Sequence, residues 1–189
     1  KTSPPEDDAA FVINQIIDLE QSEIELSFKD ISMLYSFFIT CLNDQTLSSY
    51  ENYTCVFDNA LAAFTILIDK YIYEKIPEMH NEAISNYIYF LPVWEDNPTS
   101  DYVYQFLARL LENQDPVVMN NDDYLIIAFH NIIANTSTDI ISDTTLERLF
   151  IAIRKISQNP THAEVLQIAM NEEEESRLKQ FLRLYNQSN

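Results

Sequence analysis

The 189-residue chain contains no glycine, where average usage of about 7% would supply roughly 13. That absence removes whole classes of chemistry. A GxGxxG dinucleotide turn, a phosphate-binding P-loop and a GxSxG nucleophile elbow each need backbone without a Cβ beside the ligand or nucleophile. Two-residue hairpin turns, which favour Asn-Gly or Asp-Gly, are equally unsupported, and an all-β fold with them. Basic residues are also scarce. Eleven Lys and Arg stand against 30 Asp and Glu, a formal charge of −19. Neutralising nucleic-acid phosphates or an anionic bilayer takes clustered cations, so neither partner is expected, and a basic protein or peptide is the electrostatic complement. Only two cysteines occur, Cys41 and Cys55, both inside apolar stretches and not in a CxxC pair. They read as buried intracellular thiols, not as a disulfide frame or zinc knuckle. The longest apolar runs, such as 124–129, fall far short of a membrane span of about 20 residues. The chain opens KTSPPEDD, without an initiator Met or an apolar leader core, which suggests a cut inside a longer protein.

What is present is helical periodicity almost throughout. Asp7 and Asp8 precede a stripe of Phe11, Ile13, Ile16 and Ile17; Ser27 and Asp30 form a capping arrangement before Ile31, Leu34 and Phe38. Thr54 opens a helix with Leu61, Phe64 and Ile68, and Pro77 marks a break before Ile84, Tyr87 and Ile88. Asn97-Pro98 leads to Val103, Phe106 and Leu110, and Asn121 caps a helix bearing Leu125, Phe129 and Ile132. Thr144 and Glu147 form a capping box before Leu149 and Ile153. Asn159-Pro160 opens a short helix, and Asn171 caps a last one whose glutamates fill its first turn.

Alternate helices start near Asp8, Thr54, Thr99 and Thr144, at intervals of 46, 45 and 45 residues. Each interval holds two helices, the range of HEAT or armadillo arrays, in which a helix pair buries its apolar face only by stacking on its neighbours. The expectation is an all-α superhelix, a solenoid of about four HEAT repeats covering approximately 7–44, 53–92, 98–135 and 143–185.

The segments ENYTCVFDNALAAFTILIDKY (51–71) and NYIYFLPVWEDNPTSDYVYQFLARLLENQDPVVMNN (86–121) resemble the C-terminal repeats of karyopherin-β nuclear transport receptors, nearest to the importin-five or karyopherin beta-three type. The resemblance rests on Asp58-Asn59-Ala60, on Leu91-Pro92 with the acidic pair Glu95-Asp96, and on Asn120-Asn121; 146–158 and 172–182 are similar to the family's closing helices. Where that family places a helix-interior glycine and a turn glycine, this chain has Thr65 and Met119. The resemblance implies a nuclear import receptor without enzyme activity or cofactor. It would bind basic cargo and the phenylalanine-glycine (FG) repeats of nucleoporins, work in cytoplasm, nucleus and nuclear pore, and meet Ran-GTP mainly through repeats upstream of this chain. A free-standing helical scaffold or adaptor with an acidic docking face is the alternative.

No metal or catalytic site is expected. His80, His130 and His162 fall on three separate helices without ligand spacing, and the acidic pairs at helix starts read as dipole partners rather than acid/base dyads. In solenoids of the resembled family the second helix of each pair lines the concave face. Asp30, Glu78, Glu82, Asp122 and Asp123 lie at or near those helices and are the candidate docking residues for basic cargo. Trp94, the lone tryptophan, is a further candidate anchor, with packing between adjacent repeats the simpler role. The helix at 7–20 would normally stack on an upstream repeat, so that end is expected to be adhesive and to favour a dimer, whereas the tail helix with Lys179 and Arg183 reads as a polar cap.

Overall fold

A computed structural model describes residues 25–44, 53–94, 100–136 and 138–187. The fold is all-α, with nine α-helices, one π turn and no strand among the described residues. The chain divides into two compact units, 1–95 and 96–189. The expected stripe at 7–20 and its adhesive end lie outside the described residues.

In the first unit, α1 (Phe28–Leu42) starts as its sequence dictates. Ser27 caps it, and Asp30 reaches back to the Ser27 backbone, closing a capping box. Its buried stripe, Ile31, Tyr35, Phe38 and Leu42, packs on α2 (Tyr53–Leu67). Thr65, at the place where the resembled family carries glycine, is buried in α2 with its hydroxyl donated to the Leu61 carbonyl at 2.7 Å. Such back-bonding loosens a helix, and three residues later the chain passes into a π turn, Ile68–Ile72, that keeps Ile68 and Ile72 in the core. α3 (Pro77–Phe90) begins with proline at its first turn, where the missing N–H is no loss. Phe64 centres this unit: its ring lies 5.5 Å from Tyr35 and 6.2 Å from both Phe38 and Phe90, so α1, α2 and α3 meet on it.

The second unit comprises α4 (Ser100–Glu112), α5 (Pro116–Met119), α6 (Asp122–Asn135), α7 (Asp143–Ile156), α8 (Pro160–Glu172) and α9 (Glu175–Gln187). The main packing partners are α4 with α7 and α6 with α8. A first helix thus lies on the next first helix and a second helix on the next second, the layered order of a helical solenoid. Cross-links follow the same pattern. Arg148 of α7 grips Glu112 of α4 through two charge-assisted bonds of 2.9 and 2.7 Å. Asn135 of α6 donates to the fully buried Tyr104 hydroxyl of α4 at 2.8 Å. α9 buries a single side chain, Phe181, which packs with Phe150 of α7 at 5.7 Å. Arg154 covers the Tyr185 ring at 4.6 Å and donates to the Tyr185 carbonyl.

Three local readings are corrected by the structure. The cap of α7 is Ser142, not Thr144, because Asp101 of α4 holds the Ser142 backbone N–H and hydroxyl at 2.8 and 3.0 Å and fixes the helix start two residues earlier. Asn171 caps nothing. It sits inside α8, accepting from Gln167 at 2.8 Å, while His130 draws Glu172 (2.9 Å) and Glu173 (3.6 Å) toward α6; of the four glutamates only Glu175 falls in the first turn of α9. The turn at 113–121 is itself partly helical, capped by Asp115, whose side chain accepts from Val117.

Among the described residues the missing glycines leave one visible mark. The end of α4 closes with paired bonds, Asp115 N–H to Leu110 and Gln114 N–H to Leu111, which require a left-handed residue between the helix and Asp115. Gln114 takes that place at φ 51°. A side chain there carries strain of about 1 kcal/mol relative to glycine. Gln114→Gly should therefore raise stability by about 0.5–1 kcal/mol, read as a higher urea midpoint at unchanged slope; a loss of stability would show that the glutamine side chain contributes more than its backbone costs.

Candidate functional site

The sequence candidates separate into distinct settings. Asp30 is half-exposed and committed to its own cap: its carboxylate accepts from the Ser27 hydroxyl at 2.5 Å and the Ser27 N–H at 3.2 Å. Those bonds, with a small pull from Lys29 and little burial to oppose them, hold its pKa below the ordinary carboxylate range. Glu78 lies exposed in the first turn of α3, and Glu82 one turn further on the same face. Glu82 accepts from the Tyr35 hydroxyl of α1 at 3.3 Å, and that hydroxyl accepts from Asn86 at 2.8 Å. Burial, reinforced by Glu82 and opposed by Asn86, pushes the Tyr35 phenol up to about 12. Asp122 and Asp123 occupy the exposed first turn of α6 in the second unit. Glu78 and Glu82 thus share one exposed face of α3 in the first unit; Asp122 and Asp123 lie together in the second.

Trp94 combines an exposed ring with an anchored backbone. Its side chain is 60% exposed, and what is anchored is its backbone: the N–H lies 3.1 and 2.9 Å from the two oxygens of Asp58, a carboxylate only 1% exposed. Asp58 entered as part of a family-like Asp-Asn-Ala run; its physical task is to tie the strand of chain after α3 back to α2. Tyr89, on the outer face of α3 one helical stretch beyond Glu82, is 68% exposed. With Leu42, Phe57, Phe90 and Pro92, Tyr89 and Trp94 line an open cleft of about 470 Å³ where the C-terminal ends of α1 and α3 meet the first turns of α2. Sequence reading missed it because Tyr89 follows a buried Ile88 and precedes a buried Phe90, so the helical stripe alone does not set it apart.

Asp101 repeats the device of Asp58 in the second unit, receiving the Ser142 N–H, the Ser142 hydroxyl, Thr145 (3.2 Å) and Gln105 (2.8 Å). Burial pushes its pKa upward, but the Ser142 N–H and the three side-chain donors outweigh it, and the net shift is below the ordinary 3.8. A carboxylate with a depressed native pKa stabilises the fold when ionised. That contribution is complete above about 3.8 and disappears as pH falls through the lower native value. Asp101→Asn should flatten the acid limb of the second unit's stability, seen in melts taken from about pH 6 to about pH 2; an unchanged limb would remove Asp101 from that role.

The histidines stand on α3, α6 and α8, and His80 Nδ1 lies 3.1 Å from the Tyr73 carbonyl. No group of three or more His, Cys, Asp or Glu is placed to hold a metal ion, and no helix is long and apolar enough to cross a membrane, among the described residues. Cys41 is half-buried, and burial, with the nearby Asp44 charge, pushes its thiol up and away from reactivity. The Glu95-Asp96 pair and the Cys55 side chain lie outside the described residues. No family model, curated protein or solved structure matches the chain.

Proposed function

We propose that the chain is a stretch of the helical array of a nuclear import receptor, of the karyopherin-β, importin-five type, that docks basic cargo and nucleoporin FG repeats and has no catalytic activity of its own. The observation that supports it most is the layered packing of α4 on α7 and α6 on α8, the arrangement an import solenoid is built from. The charge of −19 supplies the attraction for Lys/Arg-rich segments, chiefly as faster encounter. Glu78, Glu82, Asp122 and Asp123 are the exposed carboxylates offered to them. Ran-GTP would engage other repeats, so this chain alone binds it weakly or not at all.

Titration with a basic nuclear-localisation peptide at several salt concentrations tests the reading. Weak binding that falls steeply with salt is expected; absence of binding to any basic peptide overturns it. A helical adaptor with an acidic face would bind the same peptides, and capture of an FG-repeat fragment separates the two.

A further inference from the structure

The cleft at the ends of α1 and α3 carries chemistry that general acidity does not. We propose that it receives the side chain of a single arginine on an extended basic peptide. The inference rests on the basic-partner reading above and gives it a specific seat.

Its size, about 470 Å³, lies within the span of roughly 300–1,000 Å³ usual for ligand pockets. Its walls are mostly apolar and aromatic, with Asn43 and Thr54 as polar members. Phe57 and Phe90 form a T-shaped pair at 6.5 Å, Tyr89 stands edge-on to Phe90 at 5.4 Å, and Trp94 is displayed from a backbone fixed by Asp58. Leu42 and Pro92 complete a surface suited to the methylene stem of a long side chain.

Net charge and the exposed rings then select its head group. The C-terminal ends of α1 and α3, with no basic residue in their last turns, and the first turns of α2, through Thr54 and Phe57, all border the cleft, so the helix dipoles there are mixed in sign. Among the described residues no lysine, arginine or histidine lines the cleft. Residues 1–95 hold four lysines and no arginine against sixteen Asp and Glu, a balance of −12. The carbonyls at the ends of α1 and α3 are answered by Asn43, Asp44 and Leu91, so the selection falls to the net charge of this half of the chain, which disfavours an anion, and to the exposed rings. A cation above the exposed Tyr89 and Trp94 rings meets their π faces within an acidic half of the chain. Arginine suits the seat better than lysine, because its planar, weakly hydrated guanidinium stacks on aromatic rings while the lysine ammonium holds its water.

The protein carries its own reporter, since Trp94 is its only tryptophan. The experiment titrates the full chain with a basic decapeptide bearing one central arginine, and with versions carrying lysine or norleucine there, following both heat and Trp94 emission. The arginine peptide should shift the emission. The lysine and norleucine versions should bind about fivefold and about tenfold more weakly. Tyr89→Ala, a change at an exposed position, should weaken the arginine peptide by about tenfold at an unchanged circular-dichroism spectrum. Heat of binding with constant Trp94 emission would overturn the seat and leave the basic-partner reading standing. A norleucine peptide that binds as well as arginine would overturn the choice of a cation. Neither heat nor emission change with any peptide would overturn both readings.

Discussion

Phe64→Ala should destabilise the first unit by about 3–5 kcal/mol, the range for removing a fully buried aromatic side chain and leaving its cavity. Phe64 is 0% exposed and touches rings from both flanking helices, Tyr35 and Phe38 on one side and Phe90 on the other. Those side chains have fixed partners of their own, Tyr35 through Asn86 and Phe90 through Phe57, so they have little freedom to collapse into the void. Against a domain stability of about 5–15 kcal/mol the loss removes a large share. Urea unfolding followed by Trp94 emission reads the first unit by itself, because the second has no tryptophan. Phe64→Leu, which keeps most of the volume, should lose less than about 1.5 kcal/mol. If the alanine variant lost no more than the leucine one, Phe64 would not be the centre of the unit.

Asp58→Ala should lower stability by about 2–3 kcal/mol. A hydrogen bond to a charged acceptor contributes about 1.5–3 kcal/mol, and here the donor is left without that acceptor. The change also frees the strand of chain that ends in Trp94, so its emission should become that of a mobile, fully hydrated indole in the folded protein. Asp58→Asn retains one acceptor oxygen and should give a smaller loss with a nearly native spectrum. A native spectrum in the alanine variant would show that Pro92 and Val93 hold the segment without the carboxylate. Peptide affinity of the alanine variant should fall as well, since the cleft depends on where Trp94 stands.

Much of the helical layout was legible because caps and prolines sit where backbone rules place them. Ser27 with Asp30, Pro77, Asn121 and Asn159-Pro160 each mark a real helix start. The misplaced boundaries have a common cause. Ser142 won over Thr144, and α8 ran through Asn171, because residues about 40 positions away, Asp101 and His130, supply partners that no local pattern contains. The π turn was hidden for a related reason: one extra residue per turn leaves the apolar spacing of α2 nearly intact. Of the acidic candidates, the sequence located their helices correctly, but could not distinguish Asp30, spent on its cap, from Glu78, which is not. The aromatic cleft was the least legible feature. It joins the end of α1 to the end of α3, and nothing in either segment names the other.

The slender attachment of α9 bears on how the protein opens. With Phe181 as its one buried side chain, the last helix can detach while the layers beneath it persist. Its amides should trade deuterium well before those of α4 or α6, and each excursion uncovers one flank of Phe150, giving the second unit a brief, reversible apolar window at its closing edge.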